Sequence, residues 1–267
     1  MYRPTGESGD FEKANFPIGV EGGKTSTCPT QNLMEAYDMK DGTPFVWSNQ
    51  SNPYDNRDPR MKYSIVCDGM QWPVAPVEIW EGGANGLPLQ NATTTGYYLK
   101  KYVNNTISFE AGSTVTKKQH NWVLFRYGEI LLNYAEAMIN AFHDPNYKDA
   151  VYNMSAREAV NQIRGRTNIA LAGFPSDITE KDFVKRLKNE RGVELAFEGH
   201  RFWDVRRWKE LEQTANIYGV KITKNNEVIS YEKFLLETRA VTDNMYFYPI
   251  PNTERFKNPN LGQNPGW

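Results

Sequence analysis

The chain has 267 residues and is almost neutral, with 31 Lys and Arg against 32 Asp and Glu and a net charge of −1. It therefore lacks the basic surface of a nucleic-acid-binding protein, and we expect no nucleic-acid partner. The sequence has no run of about 18 apolar residues, which excludes a membrane-spanning helix. Its hydrophobic content of 39% is enough for a folded core.

The cysteines and histidines of the sequence give no sign of a metal or cofactor site. Cys28 and Cys67 are too few for a disulfide framework or a cysteine-built zinc site, and the three histidines are scattered. The sequence also lacks phosphate-binding loops, dinucleotide fingerprints and Ser–His–Asp arrangements. We therefore expect no cofactor and no metal, and whether the two cysteines pair stays open.

Residues 1–118 are predicted to be rich in loops. Turn-forming pairs of glycine, proline, asparagine and aspartate recur along this stretch and leave room only for short elements. The pattern predicts a helix at 32–39 and strands at 63–67 and 97–103. Because long irregular segments in compact domains are often functional, we expect this region to form the ligand surface.

Residues 119–267 are predicted to hold helices followed by an irregular tail. Apolar side chains at helical spacing predict a helix at 122–142. A second helix is predicted at 155–167, where Ser155 and Glu158 form a capping-box pattern. Two successive helices on a modest connector are the unit of tetratricopeptide-like stacks. The predicted fold class is therefore mainly α, with such helix pairs beside a loop-rich region that contains a few short strands.

Two further helices and a strand are predicted after the helix pair. Thr179, with Asp182 three residues later, marks the start of a helix that runs to about residue 197. A short helix at 202–211 and a strand at 245–250 follow. The prolines beyond residue 249 exclude a long helix in the tail.

The densest group of charged side chains lies between residues 189 and 208. Glu190, Glu194 and Glu198 are spaced by four, so they share one face of a helix, where three like charges repel one another. Arginines nearby in the sequence and on the preceding helix pair are the candidates to neutralise them.

These carboxylates allow two interpretations. A pair of them could catalyse glycoside hydrolysis, or they could form an ion-pair network that holds the helices in register. We favour the network, because so many neighbouring cations lower the pKa of a carboxyl group, whereas a catalytic acid needs a raised one. The predicted network comprises Glu190, Arg191, Glu194, Glu198, Arg201, Asp204 and Arg207.

Four aromatic residues of the loop-rich region are candidates for sugar binding: Trp47, Tyr54, Trp72 and Trp80. All four lie among asparagine, aspartate and glutamine. A ring face can cover the apolar C–H face of a pyranose while neighbouring polar groups bind its hydroxyls. The alternative for each ring is packing in the core of the loops.

The sequence resembles the SusD/RagB family over most of its length. The resemblance is carried by RYGEILLNYAEA at 126–137, AVNQIRGR at 159–166 and ERGVELAFEGHR at 190–201 with Asp204, Arg207 and Trp208. Segments 58–60 and 97–102 are earlier landmarks, and 248–251 and 258–267 look like the family's C-terminal tail.

This resemblance implies a lipoprotein on the outer surface of the outer membrane in Bacteroidota. Such proteins capture glycans, or sometimes peptides, and act as a lid on a SusC-like TonB-dependent transporter. They have no catalytic activity, and tetratricopeptide-like helix pairs support their loop-rich ligand surface. The family's sugar-binding rings vary in position, so none is transferred to this sequence.

Members of the family are usually about twice as long as this chain. We therefore interpret it as the C-terminal half, in which 1–118 and 119–267 form one domain. The signal peptide, the lipid anchor that provides the only membrane attachment, and the first helix pairs are expected in a missing N-terminal half. The leading functional hypothesis is a non-enzymatic glycan-binding component of a nutrient-uptake system. The alternatives are a glycoside hydrolase and a helical-repeat scaffold for protein interactions.

Overall fold

The computed structural model of the protein describes residues 1–48, 52–109 and 117–267. The helices are α1 (Asp10–Asn15), α2 (Gln31–Ala36), α3 (Arg60–Ser64), α4 (Tyr127–Phe142), α5 (Ala156–Arg164), α6 (Glu180–Glu194), α7 (Arg201–Arg207) and α8 (Asn252–Lys257). The strands are β1 (Tyr2–Ser8), β2 (Ile65–Val66), β3 (Tyr98–Leu99), β4 (Lys118–Val123), β5 (Asn216–Asn225) and β6 (Val228–Thr238). They pair in antiparallel fashion as β1–β4, β2–β3 and β5–β6.

Side-chain caps start the two helices whose beginnings the sequence predicts. The Ser155 hydroxyl accepts a hydrogen bond from Glu158 N–H, and the Glu158 carboxylate accepts one from Ser155 N–H at 2.8 Å, so the capping box of α5 is confirmed. The Thr179 hydroxyl accepts a hydrogen bond from Asp182 N–H at 3.2 Å and begins α6. These three side-chain groups satisfy backbone donors that would otherwise lack partners.

The predicted start of α4 and end of α6 are wrong. α4 begins at Tyr127 rather than at residue 122, because the residues before it form β4 and pair with β1. α6 ends at Glu194, and two residues with positive φ, Phe197 and Gly199, turn the chain away before α7. The sequence pattern shows apolar spacing, but it does not show that a neighbouring strand competes for the same residues.

The predicted strands are also shorter than expected. Segment 63–67 is split between the end of α3 and β2, and 97–103 contributes only β3, because Tyr102 has φ of +68° and turns the chain. The predicted strand at 245–250 is wrong: Asp243–Tyr246 forms a 3₁₀ turn instead. The predicted helix at 202–211 ends at Arg207, where Trp208 caps α7.

The hairpin formed by β5 and β6 has no counterpart in the sequence-based prediction. Its two long strands are joined by a short turn in which Asn226 takes a positive φ. The hairpin is fixed to the loop-rich half by Asn32 of α2, whose side chain bonds Asn216 O at 3.0 Å and Tyr218 N–H at 2.8 Å. Val220 N–H also donates to Thr95 O at 2.9 Å.

Two hydrophobic clusters form the core. One is made by the helices, with α4 packed on α5 and α6, and it is lined by Leu132, Val160 and Phe183 among others. This arrangement agrees with the predicted class of a mainly α fold with tetratricopeptide-like pairs. The other cluster fills the loop-rich half, and it also takes side chains from distant elements: Val193 of α6 and Val220, Ile222 and Tyr231 of the hairpin.

Cys28 and Cys67 are both free thiols. Within the described ranges, the structure has no helix with the length and apolarity needed to cross a bilayer.

Candidate functional site

Glu190 of α6 lies where the helices meet the loop-rich half. Its carboxylate pairs with Arg60 of α3 at 2.5 Å and with Arg164 of α5 at 2.7 Å. Arg60 also binds Asp58 at 2.7 Å, and Arg164 reaches Asp38 at 3.0 Å. All of these side chains are buried, so the charges are compensated by each other and not by water.

Glu194, one turn further along α6, binds three guanidinium groups. Arg60 contributes one pair at 2.9 Å, and Arg126 contributes another at 2.6 Å. Arg166 binds both carboxylate oxygens at 2.8 Å, the two-pronged geometry that suits a guanidinium group. This one carboxylate therefore joins α3, the residue before α4 and the residues after α5.

Glu198 completes the row just beyond the end of α6. Arg126 donates to both of its oxygens, at 2.7 and 2.8 Å, and Lys101 binds it at 2.7 Å. Lys101 also donates to Ala196 O at 2.7 Å. The like charges of the three glutamates are thus offset by cations from both halves of the chain.

Asp204 of α7 forms a second group of ion pairs. Arg191 binds it at 2.7 Å and Arg207 at 2.9 Å, and Arg207 also pairs with Glu136 of α4. Arg201 lies outside these ion pairs, contrary to the sequence-based expectation. Its guanidinium donates to the amide oxygen of Gln213 at 3.1 Å, and no carboxylate of the described residues lies within ion-pair distance of it.

The electrostatics of the row do not suit acid catalysis. Burial raises the pKa of Glu194, but the guanidinium groups of Arg60, Arg166 and Arg126 outweigh that effect and hold the pKa at about 2. The pKa values of Glu190 and Glu198 are lowered in the same way, by arginines and, for Glu198, also by Lys101. A carboxyl group that donates a proton to a glycosidic oxygen needs a raised pKa.

The low pKa of Glu194 predicts that stability falls in acid. The pKa of Glu194 is about 2 in the folded protein and 4.5 for the free group, so the ionised carboxylate stabilises the folded state. This stabilisation is fully present above pH 4.5 and is lost as the pH falls towards 2. This one group contributes on the order of 3 kcal/mol. Urea unfolding between pH 7 and pH 2 measures it.

The acid profile of a Glu194→Gln variant is the control. Burial raises the pKa of Asp38 and Asp68, so protonation of these two groups in acid favours the folded state, the opposite of the effect of Glu194. This contribution is present in both the wild type and the variant. The difference in unfolding free energy between wild type and variant should shrink as the pH falls. A difference that stays constant from pH 7 to pH 2 contradicts the assignment.

Two of the four candidate sugar-binding rings lie in the core. Tyr54 is 6% exposed and packs edge-to-face on Tyr97 and Tyr231, and Trp72 is 3% exposed and packs on Phe16. Neither ring offers a face to a ligand, which argues against a stacking role for Tyr54 and Trp72.

The other two rings are half-buried. Lys224 of β5 lies over Trp80, with its ammonium 5.3 Å from the ring centre. Trp47 packs on Phe45, with ring centres 6.5 Å apart at an angle of 73°. Both rings pack against the core cluster of the loop-rich half, and among the described residues a cation lies over Trp80 but none is found over Trp47.

Sequence reasoning missed several cations that bind the glutamate row. Arg60 and Lys101 lie far from α6 in the sequence, and nothing local marks them as partners of Glu190, Glu194 or Glu198. The only signal was that both fall in segments that resemble family landmarks, 58–60 and 97–102.

The family follows from comparison with known proteins. The sequence model of the SusD family matches residues 4–267, and the chain belongs to this family. SusD-like protein P2 of Formosa agariphila is 28% identical over 163 residues, which are 59% of this chain and 28% of that protein.

Solved structures show the same fold. A SusD-like protein from Bacteroides fragilis has a TM-score of 0.78 at 26% identity, covering 100% of this chain and 54% of its own. A second B. fragilis protein, described as a SusD-like carbohydrate binding protein, has a TM-score of 0.73 at 24% identity, covering 94% of this chain and 51% of its own. The chain thus spans about half the length of these solved relatives.

Proposed function

We propose that this protein is a glycan-binding component of an outer-membrane nutrient-uptake system. It captures an oligosaccharide and delivers it to a SusC-like TonB-dependent transporter without changing it chemically. The match to the SusD family over residues 4–267 carries this proposal. A relative of similar fold is described as a carbohydrate-binding protein. Attachment to the outer membrane through a lipid anchor is part of the same proposal.

The ligand surface in this proposal is the loop that carries Trp47. The half-buried Trp47 indole offers an apolar face for a pyranose ring, and it lies in the loop-rich half. Trp80 is a weaker candidate, because an ammonium group already occupies the space above its ring.

A glycoside hydrolase is less well supported. It would need two carboxyl groups open to a cleft, one of them able to donate a proton. Glu190, Glu194 and Asp204 are buried and bound by arginines, and Glu198 is bound by Arg126 and Lys101.

A protein-interaction scaffold is the second candidate function, and one observation favours it. Some large apolar side chains of the helices are exposed to solvent: Tyr127 of α4 is 67% exposed and Trp203 of α7 is 60% exposed. Such residues mark contact surfaces in helical-repeat proteins. This role is compatible with glycan binding, because it uses the helices and not the loops.

Calorimetric titration with a panel of hexasaccharides from α-glucan, β-glucan, xylan and mannan tests the proposal. We expect saturable binding of at least one member, with no new reducing end after prolonged incubation. Trp47→Ala should weaken that binding at least tenfold, about 1.4 kcal/mol, because the stacking face is lost.

Trp203→Ala is the matched control, since it removes an exposed indole from a helix of the scaffold. It should leave the affinity unchanged. Release of reducing ends would show an enzyme instead of a receptor. Equal losses in both tryptophan variants would contradict the placement of the ligand on the loop.

A further inference from the structure

The arginine beneath the Trp47 loop is an unusual buried cation. Arg57 is 5% exposed, and no carboxylate of the described residues lies within ion-pair distance of it. Its guanidinium instead donates to the carbonyl oxygens of Pro53, Met34 and Tyr37 at 2.7–2.8 Å. Burial lowers its pKa to about 10, so it remains charged at neutral pH. Three carbonyls in different directions fix the plane of the group.

The ring of Phe45 covers this fixed cation. The guanidinium carbon of Arg57 lies 3.5 Å from the centre of the Phe45 ring, a cation–π contact. Such a contact is strongest where water is excluded, as it is here. The position of Phe45 is therefore set by a group that the surrounding backbone holds in place.

Hydrogen bonds contribute little to the position of the loop from residue 44 to residue 48. Its start is fixed by Asp41, which bonds Thr43 N–H at 2.9 Å and the Thr43 hydroxyl at 2.7 Å. Beyond that point, no hydrogen bond between described residues involves residues 44–48. Val46, which lies between Phe45 and Trp47 in the sequence, is 79% exposed. Apolar packing therefore determines where Trp47 lies: Phe45 and Trp47 both pack against the core cluster of the loop-rich half, and the Trp47 indole also packs on the Phe45 ring.

We propose that Phe45, seated on the guanidinium of Arg57, is a positioning residue that holds the Trp47 indole in the orientation that binds the sugar. This inference rests on the proposed function and on its placement of the ligand at Trp47. Phe45 itself need not touch the ligand. Its effect on affinity passes through Trp47 and depends on an aromatic ring at position 45.

Two variants at position 45 distinguish the effect of the aromatic ring on glycan binding from the effect of an apolar side chain of similar size. Phe45→Leu keeps an apolar side chain but loses the cation–π contact, and it should weaken glycan binding about tenfold. Phe45→Tyr keeps the ring and should restore the affinity to within about twofold of the wild type. Both are measured by calorimetry with the tightest hexasaccharide of the panel.

A double-mutant cycle shows whether Phe45 acts through Trp47. In a Trp47→Leu background, Phe45→Leu should cause no further loss. Incorporation of 5-fluorotryptophan gives a second readout without ligand, in which Trp47→Phe identifies the Trp47 signal in the ¹⁹F spectrum. Phe45→Leu should shift or broaden that signal, and Phe45→Tyr should leave it in place.

The outcomes distinguish this inference from the proposed function. Binding that is sensitive to Trp47→Leu but unchanged by Phe45→Leu, or losses that add in the double mutant, overturn the positioning role alone. An unmoved ¹⁹F signal in Phe45→Leu does the same. A wild-type protein that binds no member of the panel overturns both.

Discussion

Replacing Glu194 with glutamine is expected to lower the free energy of unfolding by about 3–5 kcal/mol at pH 7. The substitution preserves the shape of the side chain but removes the negative charge shared by Arg60, Arg126 and Arg166. Arg60 lies in the interior, where water cannot replace the lost partner. Urea unfolding followed by tryptophan fluorescence measures the change.

A surface pair provides the matched control. Glu254 of α8 binds Lys257 at 2.8 Å, and both side chains are largely exposed. Glu254→Gln should change the stability by less than about 0.5 kcal/mol, because water screens this pair. If Glu194→Gln lowered the free energy of unfolding as little as Glu254→Gln does, the ion pairs of the glutamate row would not stabilise the contact between the two halves of the chain.

The second large effect is expected at Gly96, where the loop-rich half meets the hairpin. Gly96 has φ of +82°, and an added Cβ would overlap Val220 O and lie 2.5 Å from Val220 Cγ1. Gly96→Ala therefore combines backbone strain with a clash against a strand, at a cost of roughly 3 kcal/mol or more. The midpoint of urea unfolding reports this loss.

A substitution at Gly69 separates the cost of backbone strain from the cost of the clash with Val220. Its φ is +75°, but a Cβ added there has no atom within 4 Å. Gly69→Ala should show only the backbone strain, about 1 kcal/mol. Equal effects at Gly69 and Gly96 would mean that the contact with Val220 adds nothing to the cost.

The helix starts could be predicted because their signals are local. Ser155 with Glu158, and Thr179 with Asp182, are each three residues apart and satisfy neighbouring backbone donors. The shared face of Glu190, Glu194 and Glu198 follows from helical spacing alone. The sequence also indicated that arginines would be needed there, since three adjacent like charges require compensation.

The partners of that face could not be predicted, because they come from remote segments. Arg60 approaches Glu190 across 130 residues of sequence, and Lys101 approaches Glu198 across 97. The hairpin was missed although Asn226 occupies its turn with a positive φ. Several of the β5 and β6 side chains are charged and face solvent, so apolar alternation along the two strands is weak.

The rings illustrate a further limit of sequence reasoning. Trp47 and Trp72 have similar polar neighbours in the sequence, but Trp72 is buried against Phe16 and Lys100, while Trp47 is only half-buried. Only the packing of the whole loop-rich half decides which rings face outward. The same packing places Arg57 beneath Phe45, a contact that no sequence motif indicates.

The mixed origin of the loop-rich core constrains how the protein is made. Most of that cluster is contributed by residues from Phe16 to Ile107, but Val193, Val220, Ile222 and Tyr231 complete it. During synthesis the early aromatic side chains leave the ribosome long before the hairpin that covers them. The first half of this chain therefore cannot complete its core until the hairpin has been synthesised.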